Sequence, residues 1–189
     1  MPTLYIANKN YSSWSLRPWL LMRELGLPFE EKLTPFAGHD TPDAFRAFSP
    51  TGKVPCLVDG PTVVWDSLAI TEYLAERFPH VWPAQAEARA WARCAAAEMH
   101  SGFPALRNIC TMNCGLRIRI DPYLPELMRE IERIDTLWNE GLSRFGGPFL
   151  GGQLFTAVDA FFAPVAFRMQ TYTLPLSTSA LAYSNRLLA

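Results

Sequence analysis

The character of the chain changes once, at Pro79-His80-Val81-Trp82-Pro83, and this change constrains the fold more than any other feature. Before it, short apolar runs alternate with stretches of helical spacing; after it, no run of strand character appears. Leu4 to Ala7 reads as a strand, and Ser15 to Leu25 carries apolar residues at helical spacing until Gly26 stops it. Phe29 to Leu33 reads as a second strand, and Thr41 to Phe48 as a short helix ended by Ser49-Pro50, because proline pushes the residue before it out of the helical region. Cys56 to Val58 and Val63 to Trp65 flank Asp59-Gly60-Pro61, the composition of a tight hairpin. Asp66 to Phe78 then has the spacing of an amphipathic helix.

This order fixes a topology. The first two strands are joined through a helix and must run parallel, whereas the last two share a short turn and must run antiparallel. The layout resembles a thioredoxin-like α/β domain over residues 1–78. Residues 79–84 read as a proline-bounded linker, and residues 85–189 as an all-helical domain. Helices are expected from Gln85 to about Met112, from about Pro122 to Phe145 and from Ala157 to about Tyr172, with a weaker one after Ser177.

Composition removes several classes of function. A net charge of -1 with interspersed signs lacks the basic excess that nucleic acid or an anionic membrane surface requires, so partners of those kinds are not expected. The 49% hydrophobic content supports a substantial core. No apolar stretch approaches a membrane span, and Met1 to Ala7 lacks the basic, then apolar, layout of a signal peptide. Cys56, Cys94, Cys110 and Cys114 have no CxxC spacing and no histidine partners at zinc-site distances, so a reducing cytoplasm and no metal are expected. Cys110 and Cys114 have the spacing to share a helix face, where they read as small buried residues.

The segment with most chemistry in it is Ser49-Pro50-Thr51-Gly52-Lys53-Val54-Pro55-Cys56-Leu57, followed by Trp65-Asp66-Ser67 at the start of a helix. It resembles the glutathione site of the glutathione S-transferases. The resemblance implies a cis Val54-Pro55 bond, which turns the Val54 N–H and C=O toward the cysteinyl part of glutathione, with Lys53 beside it. It also places Ser67 and its N–H at the positive end of a helix dipole, where the γ-glutamyl carboxylate binds, and Asp66 against the ligand's ammonium. Read from the residues alone, Asp66 and Ser67 are also ordinary N-caps.

A second segment, Asn10-Tyr11-Ser12-Ser13-Trp14-Ser15-Leu16-Arg17, joins the first strand to the first helix and is similar to the zeta class of that family and to related bacterial enzymes. There the family keeps the group that activates the thiol, which implies Ser12 first and Ser13 second. A free thiol titrates near about 8.5, so a thiolate at neutral pH needs a shift of about two units, or about 2.7 kcal/mol. One donated hydroxyl hydrogen bond added to helix N-terminal N–H groups is of that size. Ser12, Ser13 and Ser15 also read as capping residues, Tyr11 as another hydroxyl donor, Arg17 as an anion contact or an ion-pair partner, and Tyr5 as packing. Trp14 stands where the zeta pattern has a cysteine, a departure that bears on maleylacetoacetate isomerisation.

In the second half, Thr156 and Asp159 have the spacing of a helix capping box, a folding feature. Phe103, Arg107, Ile109 and Met112 on the first long helix are candidates for the wall of an electrophile pocket, together with Tyr11; as apolar residues at helical spacing most of them also read as core. His39 and His100 are isolated. Leu181 to Ala189 reads as a helix lacking its stop signal, where the family usually continues with another. The resemblance as a whole implies a cytoplasmic, homodimeric detoxification enzyme with glutathione as co-substrate. Conjugation, isomerisation, dehalogenation and peroxide reduction all stay open, as does a non-catalytic binding module with the same fold.

Overall fold

A computed structural model describes residues 1–36 and 41–189; His39 lies outside the described residues. The chain divides into two compact units, Met1–Val81 and Trp82–Ala189. Val81 and Trp82, on either side of the division, are both buried.

The first unit is built on a four-stranded sheet. Its elements are β1 (Thr3–Ile6), α1 (Ser13–Glu24), β2 (Glu30–Leu33), α2 (Thr41–Arg46), β3 (Cys56–Asp59), β4 (Thr62–Val64) and α3 (Ser67–Ala75). The strand order is β2-β1-β3-β4, with β1 parallel to β2 and antiparallel to β3, and β3 antiparallel to β4. The period of two along β1 turns Leu4 and Ile6 inward, and register sets Leu4 opposite Leu57 in the middle of the core. Gly26, at φ +62°, ends α1: its N–H bonds to the Arg23 carbonyl and the Leu27 N–H to that of Met22, the paired geometry a left-handed glycine permits. Trp65 lies outside β4, which ends at Val64, because the chain there turns into the Asp66 cap of α3.

The second unit contains α4 (Ala86–Ser101), α5 (Pro104–Ile109), α6 (Pro125–Phe145), α7 (Ala157–Tyr172) and α8 (Thr178–Leu187). Nearly every residue of α7 is buried, and it packs against α4 and α8. Such a helix is largely apolar because nearly all of it is covered, with Gln170 in its last turn exposed. Its N-terminus is closed by Asp159, whose carboxylate accepts from the Thr156 N–H at 2.9 Å and the Leu150 N–H at 3.0 Å.

One helix expected from Gln85 to Met112 is two. Pro104 has no N–H to continue α4 and disfavours helical backbone at the residue before it. Phe103 accordingly sits at φ +59° between a Gly102 cap and the new start at Pro104. A side chain from another helix satisfies that start: Glu130 of α6 accepts the N–H groups of Ala105 at 3.1 Å and Leu106 at 2.7 Å. Cys110 and Cys114 therefore share no helix face, since α5 stops at Ile109. The next helix begins at Pro125 instead of about Pro122.

Candidate active site

A cavity of about 410 Å³ opens in the first unit, lined by Trp14, Thr51, Lys53, Val54, Pro55, Trp65, Asp66 and Ser67. Two loops and two helix starts make it. The loop before β3 contributes Thr51 to Pro55, with a cis Val54–Pro55 bond; the turn after β4 contributes Trp65 and Asp66. Ser67 opens α3 and Trp14 sits in the first turn of α1, so two helix N-termini, the positive ends of their dipoles, border one cavity.

The polar groups differ in what they already hold. Asp66 caps α3, one carboxylate oxygen accepting from the Leu68 N–H at 3.0 Å and the Ala69 N–H at 3.2 Å. The N-cap reading of Asp66 thus describes its geometry. Ser67 is fully buried, and its Oγ finds no hydrogen-bond partner among the described residues. A buried hydroxyl left so forfeits the free energy of a hydrogen bond, which makes it the group here most in need of a ligand. Lys53 is exposed on the rim and adds a positive charge. A carboxylate, an ammonium, a buried hydroxyl and two positive helix ends together suit a zwitterionic ligand that carries additional acidic groups.

Ser12 and Ser13 do not line this cavity; they precede Trp14, which does. Both are buried. The Ser12 N–H bonds to the Asn8 carbonyl at 2.8 Å, and its hydroxyl donates to Ser15 Oγ at 2.8 Å. Ser12 occupies the N-cap position of α1 without capping through its side chain. Tyr11 is 54% exposed, just before the Ser12 N-cap and two residues ahead of the helix. The buried Arg17 guanidinium lies 4.3 Å from the Trp14 ring centre, so it supports the Trp14 wall. Tyr5 stacks on Phe48 at 4.2 Å, a packing role. Cys56 is buried, its thiol donating to the Phe48 carbonyl, and burial raises its pKa, which removes it as a nucleophile for this cavity.

The remaining electrophile-pocket candidates lie in the second unit. Phe103 and Met112 are buried. The Arg107 guanidinium donates to the carbonyls of Gly102 and Met99 and closes the C-terminal end of α4, and burial lowers its pKa. The broken helix explains why these residues share no stripe: Phe103 precedes α5, Arg107 is on it and Met112 follows it.

Sequence reasoning did not single out Thr51 or Trp65 as cavity residues, nor Ser15 as the partner of Ser12. For Ser15 a signal existed, since residues three apart meet on one helix face. Thr51 and Trp65 carried none beyond adjacency to the motif. Among the described residues no cluster of three or more His, Cys, Asp or Glu is placed to hold a metal ion, and no helix is long and apolar enough to cross a membrane.

Comparison with known proteins follows the same division. Residues 11–77 match the family model described as glutathione S-transferase, N-terminal domain, and residues 121–186 the one described as glutathione S-transferase, C-terminal domain. A glutathione S-transferase 1 from Dianthus caryophyllus is 30% identical over 165 residues, spanning 85% of this chain and 74% of that protein. A zeta-class glutathione S-transferase from Euphorbia esula is 29% identical over 167 residues, spanning 86% and 74%. Among solved structures, a glutathione transferase homolog from Burkholderia with bound glutathione superposes with a TM-score of 0.70 at 24% identity, over 100% of this chain and 91% of that one.

Proposed function

The chain belongs to the glutathione S-transferase family, and from that membership we propose that it is a glutathione transferase that holds the glutathione thiol as a thiolate for attack on small, hydrophobic electrophiles. The observation that carries the reading is the unpartnered Ser67 hydroxyl, buried at the start of α3 beside the cis Val54–Pro55 turn.

Glutathione matches the cavity group by group. Its γ-glutamyl carboxylate goes to the Ser67 hydroxyl and N–H, its ammonium to Asp66, its cysteinyl backbone to the Val54 N–H and C=O, and a further carboxylate to Lys53. Ser12 donates to the thiolate, with Ser13 the second candidate, and the N–H groups of the first turn of α1 add to the stabilisation. Tyr11, exposed beside Ser12, is proposed to touch the electrophile. Residues 1–78 then form the glutathione domain, 79–84 the linker and 85–189 the helical domain. The enzyme is proposed to work as a cytoplasmic homodimer in detoxification. Trp14 in place of a cysteine favours conjugation over isomerisation, because no second thiol stands in that loop.

Calorimetry with glutathione on the purified protein, on Ser12→Ala and on Ser67→Ala tests this, with thiolate absorbance followed against pH. Saturable binding with a lowered thiol pKa that rises in Ser12→Ala supports the enzyme. A folded protein that binds no glutathione would instead be a non-catalytic module on this fold.

A further inference from the structure

We propose that Ser15 is a positioning residue for the Ser12 hydroxyl, so that the thiolate is stabilised by a relay of three donors: the Ala7 N–H, the Ser15 O–H and the Ser12 O–H. The proposal rests on the reading of Ser12 as the thiol's hydroxyl partner.

Both serines are buried, Ser12 at 7% and Ser15 at 2% exposure. Ser15 Oγ accepts the Ala7 N–H, at the end of β1, at 3.2 Å, and the Ser12 hydroxyl at 2.8 Å. In this arrangement the Ser12 proton points inward. A serine hydroxyl has one proton and turns freely about its C–O bond, so Ser12 cannot donate to Ser15 and to a sulfur at once.

A thiolate in front of Ser12 draws that proton outward. Ser12 Oγ then has a lone pair facing Ser15 across 2.8 Å and needs a donor there. Ser15 supplies its own proton over the same distance, while its oxygen continues to accept from the Ala7 N–H. The bond between the two serines reverses without displacement of a heavy atom. Each hydroxyl keeps its own proton, and no bond to hydrogen breaks. A hydroxyl that accepts a hydrogen bond while donating one is a stronger donor, because each bond in such a chain polarises the next. Burial keeps water from competing for either serine.

A structural role for Ser15, tying α1 to the end of β1, would give a different result, and the two are separable. The experiment follows thiolate absorbance of bound glutathione against pH in the full chain and in Ser12→Ala, Ser15→Ala, Ser15→Thr and the Ser12→Ala/Ser15→Ala double variant, alongside glutathione affinity and melting temperature. The expected result in Ser15→Ala is a bound-thiol pKa higher by about 0.5–1 unit, a 3- to 10-fold lower thiolate fraction at a fixed pH below it, with affinity for glutathione within about 2-fold. Ser15→Thr restores the pKa, and Ser15→Ala has no further effect once Ser12 is alanine. If Ser15→Ala does not fold, Ser15→Cys, of similar size but a weak donor, is expected to raise the pKa in its place. A normal pKa in Ser15→Ala alongside a raised one in Ser12→Ala overturns the relay, as does an equal Ser15 effect with and without Ser12. An unchanged pKa in Ser12→Ala overturns the reading of Ser12 itself and the relay with it.

Discussion

The Asp159 carboxylate at the start of α7 accepts the phenolic proton of Tyr183 on α8 at 2.9 Å, with both side chains wholly shielded from water. Burial raises the Asp159 pKa from 3.8 to about 6, against the opposing effect of the Leu150 and Thr156 N–H groups and of the Tyr183 hydroxyl. A carboxyl whose folded pKa lies above its unfolded value holds its proton more tightly in the folded state. Its contribution to stability is complete below pH 3.8 and disappears as pH rises through about 6. A shift of that size corresponds to about 3 kcal/mol. Tyr183→Phe deletes one donor to the charged form, so the loss should be about 1–2 kcal/mol near pH 8 and smaller near pH 5, where Asp159 is largely protonated. Urea unfolding at both values checks it; a loss independent of pH would show that the phenol contributes by packing alone.

Ser67→Ala should separate binding from stability. The Ser67 hydroxyl is buried without a partner, so its removal takes away an unsatisfied polar group and leaves the melting temperature unchanged or raised. Glutathione affinity should fall about 10-fold, equivalent to about 1.4 kcal/mol. Thermal melts with and without glutathione read both quantities. A variant that melts lower without ligand and still binds normally would mean that the hydroxyl serves the fold.

Gly141 lies inside α6, where alanine is ordinarily better than glycine by about 1 kcal/mol. A Cβ at this position would meet the Leu150 carbonyl oxygen at 2.9 Å and the Trp91 ring closer still. The carbonyl is backbone and cannot turn aside, and forcing a methyl into such a gap costs about 1–3 kcal/mol. With backbone in the way, crowding outweighs propensity, so Gly141→Ala should lower stability by up to about 2 kcal/mol. Denaturant midpoints at constant slope measure it, and a stabilised variant would refute the steric account.

How far the sequence was legible follows from the range of the interactions. The thioredoxin-like topology was readable because each of its signals is local: the period of two at Leu4 and Ile6, the stop at Gly26 and the hairpin at Asp59-Gly60. The pairing of Thr156 with Asp159 was readable for the same reason. The break at Gly102-Phe103-Pro104 was also local, and Pro104 should have ended the expected helix; apolar spacing on both sides concealed it. The cap that Glu130 provides for α5 was not readable, because it joins residues 25 and 24 positions apart. At the site, Val54, Pro55, Asp66 and Ser67 were legible as a motif. That Asp66 holds two backbone N–H groups while Ser67 holds none depends on side-chain rotation, which spacing does not encode.

Arg168, on α7, is buried and donates to the Cys110 carbonyl at 2.8 Å and to the Pro164 carbonyl at 2.9 Å. One turn on, the Thr171 hydroxyl donates to the Asn113 carbonyl and the Tyr172 hydroxyl to that of Thr111, while the Thr171 carbonyl accepts the Ile118 N–H. Together these fasten the non-helical segment after α5 along the last turns of α7. Burial, then the neighbouring Arg107 charge, lowers the Arg168 pKa to about 10, which leaves it charged at neutral pH. A guanidinium presents several donors in a rigid fork; a lysine ammonium is a single point on a flexible stem and cannot reproduce both bonds. Arg168→Lys should therefore lower stability by about 2 kcal/mol, the scale of a hydrogen bond to a charged group. Its local signature should be faster amide hydrogen exchange over residues 110–118, with α4 and α6 protected as before. Exchange that accelerates equally along α4, α6 and α7 would mean that Arg168 supports the helical core as a whole and not this segment.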